Sequence, residues 1–155
     1  MTSQKRIFLD LDYCIGCRSC EAACYSAYGE RRIRYGDISS TVFLPLACRH
    51  CDEPLCARAC PFEVLRVTPE GLVIQASFHC VGCRSCILAC PFGVLDKELS
   101  WHISQKCSLC YDRSGNPRCV ASCPTGALKF ITEKEISKKI VSQRFVARSP
   151  YYRRQ

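Results

Sequence analysis

Sixteen cysteines fall into four quartets along the 155 residues, and none is left over. Cys14, Cys17, Cys20 and Cys24 are spaced C-x2-C-x2-C-x3-C, and Cys80, Cys83, Cys86 and Cys90 repeat that spacing. Cys48, Cys51, Cys56 and Cys60 are spaced C-x2-C-x4-C-x3-C, whereas Cys107, Cys110, Cys119 and Cys123 are spaced C-x2-C-x8-C-x3-C. Cysteine at about one residue in ten marks a chain stapled by disulfides or metal, with only a modest apolar core beside them.

The two-residue gaps let one tight loop wrap a compact inorganic cluster and place three thiolates on three of its irons. A fourth Cys three residues later is expected at the start of a helix, pointing away from that loop. With this spacing such a Cys ligates the other cluster of a two-cluster protein. Pro61, Pro91 and Pro124 follow the fourth Cys of three quartets, fixing φ and removing an N–H beside the sulfur; Tyr25 takes that place in the first. Gly16 and Gly82 sit where backbone must pass close to inorganic sulfide and donate N–H groups to it. Together with Arg18, Arg49 and Arg84 these groups are expected to raise the reduction potential, because positive field favours the more negative, reduced cluster.

Two other uses of cysteine fit less well. All-thiolate zinc sites draw on two separated pairs and do not ask for C-x2-C-x2-C-x3-C-P, although a zinc-binding interaction module is the contrasting class. Disulfides would have to form within clusters too tight for unstrained pairing, and Met1 to Asp10 carries no apolar secretory segment. The expected location is therefore cytoplasmic, where thiols stay reduced. No run approaches 18 apolar residues, so no membrane span is expected.

Residues 13–20 (YCIGCRSC) and 79–86 (HCVGCRSC) are near copies, and the second and fourth quartets share an enlarged loop before their third Cys. Such repetition predicts a duplicated unit. Strand-like runs lie at Ile7–Leu11, Thr41–Leu46, Val64–Val67, Leu72–Ile74 and Ala127–Ile131, the middle pair joined by a turn at Thr68-Pro-Glu-Gly71. Short helical turns are expected around each fourth Cys, over 21–24, 57–60, 87–90 and 120–123. Short strands, short helices and long cysteine loops describe a small α+β module used twice.

The formal charge of +8 would by itself suggest nucleic acid or acidic partners. A cluster with four thiolates carries roughly −2, so four of them contribute roughly −8 and bring the loaded chain near neutrality. The basic excess is therefore read as internal compensation, and no nucleic acid is expected as a partner. His50, His79 and His102 are read as supporting or surface residues, since the thiolate count is complete. Trp101 and Tyr111 are expected to shield a cluster of the fourth quartet. No nucleophile–base pair, paired carboxylates or phosphate loop stands out, so the chain is expected to catalyse nothing itself. From Glu133 to Gln155 seven Lys or Arg face two Glu, and Ile136, Ile140, Val141 and Phe145 recur at helical intervals over 133–147. That segment reads as either a solvated tail or a docking helix for a partner subunit or another copy.

At these motifs the chain resembles the four-cluster ferredoxin-like subunits of molybdenum and tungsten pterin oxidoreductases. That family includes the iron–sulfur subunits of dimethyl-sulfoxide-reductase-type enzymes and formate dehydrogenases; related small subunits serve hydrogenases, carbon monoxide dehydrogenase and tungsten aldehyde oxidoreductases. The likeness covers about residues 6 to 131. It implies an α+β fold of two bacterial-ferredoxin-like modules, one inserted in the other: an outer module of 1–47 and 91–131, an inserted module of 48–90, and a basic tail of 132–155. It also implies four 4Fe-4S clusters held by Cys14, Cys17, Cys20 and Cys123; by Cys107, Cys110, Cys119 and Cys24; by Cys48, Cys51, Cys56 and Cys90; and by Cys80, Cys83, Cys86 and Cys60. The role implied is a non-catalytic electron relay between a molybdenum or tungsten pterin catalytic subunit and a second, soluble redox protein. A hydrogenase or carbon monoxide dehydrogenase partner is the alternative, and a free-standing ferredoxin comes third.

Overall fold

The computed structural model describes residues 4–39, 42–75, 79–95, 106–113 and 115–136. Strand β1 (Lys5–Leu9) pairs antiparallel with β6 (Leu128–Thr132), Ile7 opposite Phe130, so the first and last strands of the described chain close on each other. The ladder runs on past β1, where the N–H of Asp10 donates to Ala127 O at 2.8 Å. Asp10 is buried there and pairs with Lys129 Nζ at 3.1 Å. Among the described residues two hairpins complete the strands: β2 (Arg34–Ser39) with β3 (Val42–Leu46), and β4 (Leu65–Val67) with β5 (Val73–Gln75).

The β4–β5 hairpin follows the predicted boundaries within a residue, its turn closed by Gly71 N–H on Thr68 O at 2.8 Å. Glycine belongs there, because φ is +79° and an L side chain resists the left-handed region. Strand β2 is not among the expected runs: its segment RYGDIS carries Gly36 and Asp37, and only pairing with β3 makes it a strand. Residues 11–13, which begin at the end of the first expected strand, form a 3-10 turn instead.

Four helices accompany the quartets: α1 (Ser19–Tyr28), α2 (Leu55–Arg58), α3 (Ser85–Ala89) and α4 (Arg118–Ala121). Here one expectation is corrected. The third Cys of each quartet, not the fourth, lies in the opening turn of a helix: Cys20, Cys56, Cys86 and Cys119 are each its second residue. The fourth Cys stands at or beyond the helix end in three quartets, and there the following proline explains the stop. Proline disfavours helical backbone in the residue before it and supplies no N–H of its own. Helices α2, α3 and α4 end before Cys60, Cys90 and Cys123, which precede Pro61, Pro91 and Pro124. With Tyr25 in place of proline, α1 runs through Cys24 to Tyr28, and Gly29 at φ +70° terminates it with an N–H to Tyr25 O at 2.7 Å.

Helix α1 packs on α4 and α2 on α3. One core gathers Ile7, Ile33, Leu72, Leu109 and Leu128 around the thiols of Cys20, Cys24 and Cys119. Val64, Leu65, Val73, Val94 and Leu95 are buried on the segment between the outer strands. The helical turn at 133–136 is opened by Thr132, whose Oγ1 accepts from Glu135 N–H while Glu135 Oε2 accepts from Thr132 N–H at 2.7 Å, a reciprocal cap. The rest of the expected 133–147 helix, and Trp101 and His102, lie outside the described residues. Among the described residues no helix is long and apolar enough to cross a membrane.

Candidate metal centres

Each quartet opens with the same bend. The residue before the second Cys is left-handed in all four: Gly16 at φ +70°, His50 at +45°, Gly82 at +70° and Leu109 at +56°. Glycine takes this conformation freely; for His50 and Leu109 it costs about 1–2 kcal/mol. Both are almost wholly buried, so packing holds them in it. Their place before the second Cys, matching Gly16 and Gly82, is the signal in the sequence that points to them. A second correspondence follows at the helix starts. Arg18 and Arg84 precede α1 and α3 in the left-handed region, whereas Pro54 and Pro117 precede α2 and α4 in extended backbone.

These bends bring sulfurs from distant quartets around shared cavities. Cys14, Cys17 and Cys20 line one with Cys123, beneath Leu9, Pro45 and Leu128. Cys107, Cys110 and Cys119 line another with Cys24, walled by Ile7, Ile33 and Pro117. Cys48, Cys51 and Cys56 line a third with Cys90, closed by Val94 and Leu95. For the remaining four, the charges of Cys60, Cys80 and Cys83 all act on the Cys86 thiol.

Burial pushes the thiols of Cys20 and Cys56 up to about 11 and that of Cys107 up to about 12, with neighbouring sulfurs adding to the rise. Sulfurs gathered in fours carry mutually repelling charge once ionised, so the donor set fits a cationic iron–sulfide core, whose ligand is the thiolate.

Backbone donors reach the sulfurs: Arg32 N–H to Cys24 Sγ at 3.2 Å, Val64 N–H to Cys60 Sγ and Leu109 N–H to Cys107 Sγ, each at 3.4 Å. Two of the expected arginines line these cavities, Arg18 the one with Cys14, Cys17, Cys20 and Cys123 and Arg49 the one with Cys48, Cys51, Cys56 and Cys90. Arg18 also lies over the Tyr35 ring, and Arg49 over the rings of Phe8 and Phe92. Lys106 donates directly to a quartet sulfur, Cys48 Sγ, at 3.0 Å. Tyr111 is 61% exposed. Tyr28 is the aromatic residue beside the fourth quartet's cavity, its hydroxyl meeting Cys110 and donating to Asp112 at 2.9 Å. His79 is exposed, while His50 is 1% exposed and accepts Val73 N–H on Nδ1 at 3.0 Å. Burial, then the charges of Lys106 and Arg6, lower its pKa to about 3, so the ring is neutral at pH 7. Cys17 and Cys83, one from each repeated loop, are exposed, flanked by the exposed apolar residues Ile15 and Val81.

Comparison with known proteins agrees with this chemistry. A family model described as a 4Fe-4S dicluster domain matches residues 39–133, and a 4Fe-4S binding domain matches residues 11–25. The protein is similar to the B subunit of anaerobic dimethyl sulfoxide reductase from Escherichia coli (strain K12), 35% identical over 90% of its own length and 78% of the relative. It is 28% identical to the electron transport protein HydN of the same organism, over 89% of its own length and 94% of HydN. It is also 35% identical to the putative oxidoreductase UacF of that organism, of whose length it spans 22%. With its thiol-lined cavities and these relatives, the chain belongs to the 4Fe-4S dicluster family of iron–sulfur electron-transfer proteins.

Proposed function

We propose that the chain binds four 4Fe-4S clusters and relays single electrons along them between a molybdenum or tungsten pterin catalytic subunit and a second redox protein, itself catalysing nothing. One observation carries the reading: cavities lined by three sulfurs of one quartet and the fourth of another. The ligand sets would be Cys14, Cys17, Cys20 and Cys123; Cys107, Cys110, Cys119 and Cys24; Cys48, Cys51, Cys56 and Cys90; and Cys80, Cys83, Cys86 and Cys60. Each cluster, when bound, would take up and release one electron.

The chain's own residues then have plain tasks. The left-handed bends set the first two sulfurs, and the helix starts present the third. The crossed fourth sulfur fixes the separation within each pair. The charge of Cys48 acts on the Cys107 thiol, which supports placing the second and third sites side by side. The exposed Cys17 and Cys83 would then lie at the two ends. Pairing of β1 with β6 around the β4–β5 segment supports the nested arrangement of 48–90 within 1–47 and 91–131. Kinship with the B subunit of a dimethyl sulfoxide reductase supports the pterin partner over a hydrogenase or carbon monoxide dehydrogenase.

Anaerobically purified protein should hold about sixteen irons and sixteen acid-labile sulfides per chain. Cys20→Ser and Cys123→Ser should alter one and the same paramagnetic signal, and Cys24→Ser a different one. Stoichiometric zinc, or separate signals for Cys20 and Cys123, would reject the reading. The native complex, isolated by affinity capture of this chain, should contain a molybdenum or tungsten subunit.

A further inference from the structure

Lys106 is a buried cation, 6% exposed, whose ammonium donates to Cys48 Sγ at 3.0 Å and to the carbonyl of Val73. Among the described residues no carboxylate pairs with it. Burying an ammonium is costly unless an anion offsets it, and the anion at hand is a thiolate. Lys106 lines the cavity of Cys48 and Cys56, and it immediately precedes Cys107, which lines the neighbouring one. It therefore stands where the second quartet's cavity meets the fourth's.

The loop itself does not require lysine. The equivalent position, just before the first Cys, is Tyr13, Ala47 and His79 in the other three quartets. Tyr13 and His79 are exposed and Ala47 is a small core residue, so no common packing role is preserved. What sets Lys106 apart is a charge carried over 58 residues of chain onto another quartet's sulfur.

We propose that Lys106 is a positioning residue for electrons: it raises the reduction potential of the site formed by Cys48, Cys51, Cys56 and Cys90 and so favours an electron resting at the junction between the two pairs. The proposal rests on the four-cluster reading. A reduced cluster carries one more negative charge than its oxidised form, and a fixed cation in contact with a ligand sulfur stabilises that form preferentially. Burial protects the effect from salt screening.

The test is a redox titration of the full chain, purified anaerobically and followed by paramagnetic resonance, for the parent, K106M, K106Q and K106R. Iron and sulfide are counted first; a parent lacking them fails the four-cluster reading, not this one. In K106M, which removes the charge at similar volume, one midpoint should move negative. The reduction equilibrium should change at least tenfold, 59 mV for one electron. That signal should be the one altered by Cys56→Ser. K106Q keeps a donor without charge and should shift it too, whereas K106R should stay within threefold of the parent. Four unchanged midpoints in a neutral variant with full iron would overturn the proposal. So would loss of clusters from both neutral variants, which would mark Lys106 as a structural tie.

Discussion

The ring of Phe43 lies directly over the Cα of Gly16, so that a Cβ built there would sit 2.5 Å from the ring carbon Cδ2. The contact ties the β2–β3 hairpin to the first cysteine loop. Gly16 also has φ +70°, so alanine would meet both strain and collision. Strain costs about 1–2 kcal/mol and overpacking about 1–3 kcal/mol more. Gly93, at φ +60° with nothing within 4 Å of its built Cβ, isolates the strain alone. Gly16→Ala should therefore lower the denaturation midpoint more than Gly93→Ala, and should selectively speed loss of the signal that depends on Cys20. Equal midpoints for the two variants would show that Phe43 does not press on the loop.

His50 offers a second measurement. Its Nδ1 is the acceptor for the buried N–H of Val73, whose carbonyl accepts from Lys106. Leucine fills a similar space but leaves that N–H without a partner, at about 1–3 kcal/mol. His50→Leu should lose about that much in chemical denaturation of the loaded protein. His79→Ala, at an exposed site, should stay within about 0.5 kcal/mol. A His50→Leu variant as stable as the parent would show that the hydrogen bond contributes nothing.

The cap at Thr132 predicts a local effect. Thr132→Ala removes the hydroxyl that accepts Glu135 N–H, a loss of about 1 kcal/mol for the helical turn that starts there. The body of the fold should keep its midpoint, while proteolytic cleavage after residue 132 should accelerate. Unchanged cleavage would mean that the cap does not hold the turn.

What is legible in the chain alone is local. The grouping of cysteines, the two loop glycines and the β4–β5 hairpin all lie within short stretches whose spacing carries the chemistry. A helical turn near each fourth Cys is legible, but its position only to within about two residues, because α2 and α4 span four residues each, too short for any periodicity to register. Non-local features leave no mark on the sequence. Lys106 reaches Cys48 across 58 residues, and Ser122 reaches the carbonyl of Ser19 across 103. Neither His50 nor Leu109 is a residue type that announces a left-handed bend; only their place before the second Cys, where Gly16 and Gly82 stand in the other quartets, points to it. Arginine beside a cysteine promises charge near the sulfur, and Arg18 and Arg49 do line the cysteine cavities, but the aromatic faces they also cover are not legible in the sequence.

Iron removal tests how far the sulfur sites serve as the core itself. Cys20, Cys24 and Cys119 belong to the same buried cluster as Ile7, Ile33, Leu109 and Leu128, so the proposed cluster ligands occupy space that aliphatic residues fill in other domains of this size. The described strands are short and the sheets two-stranded, which is marginal without further support. When metal binding and folding are coupled in this way, stripping the metal removes folding free energy directly. Chelation of iron under reducing, anaerobic conditions should abolish the cooperative thermal transition and expose the amides of the β1–β6 pair to rapid hydrogen exchange. Reconstitution with iron and sulfide should restore both. An iron-free chain that still melts cooperatively, with β1 and β6 protected, would show that the apolar residues alone suffice to hold the sulfurs in place.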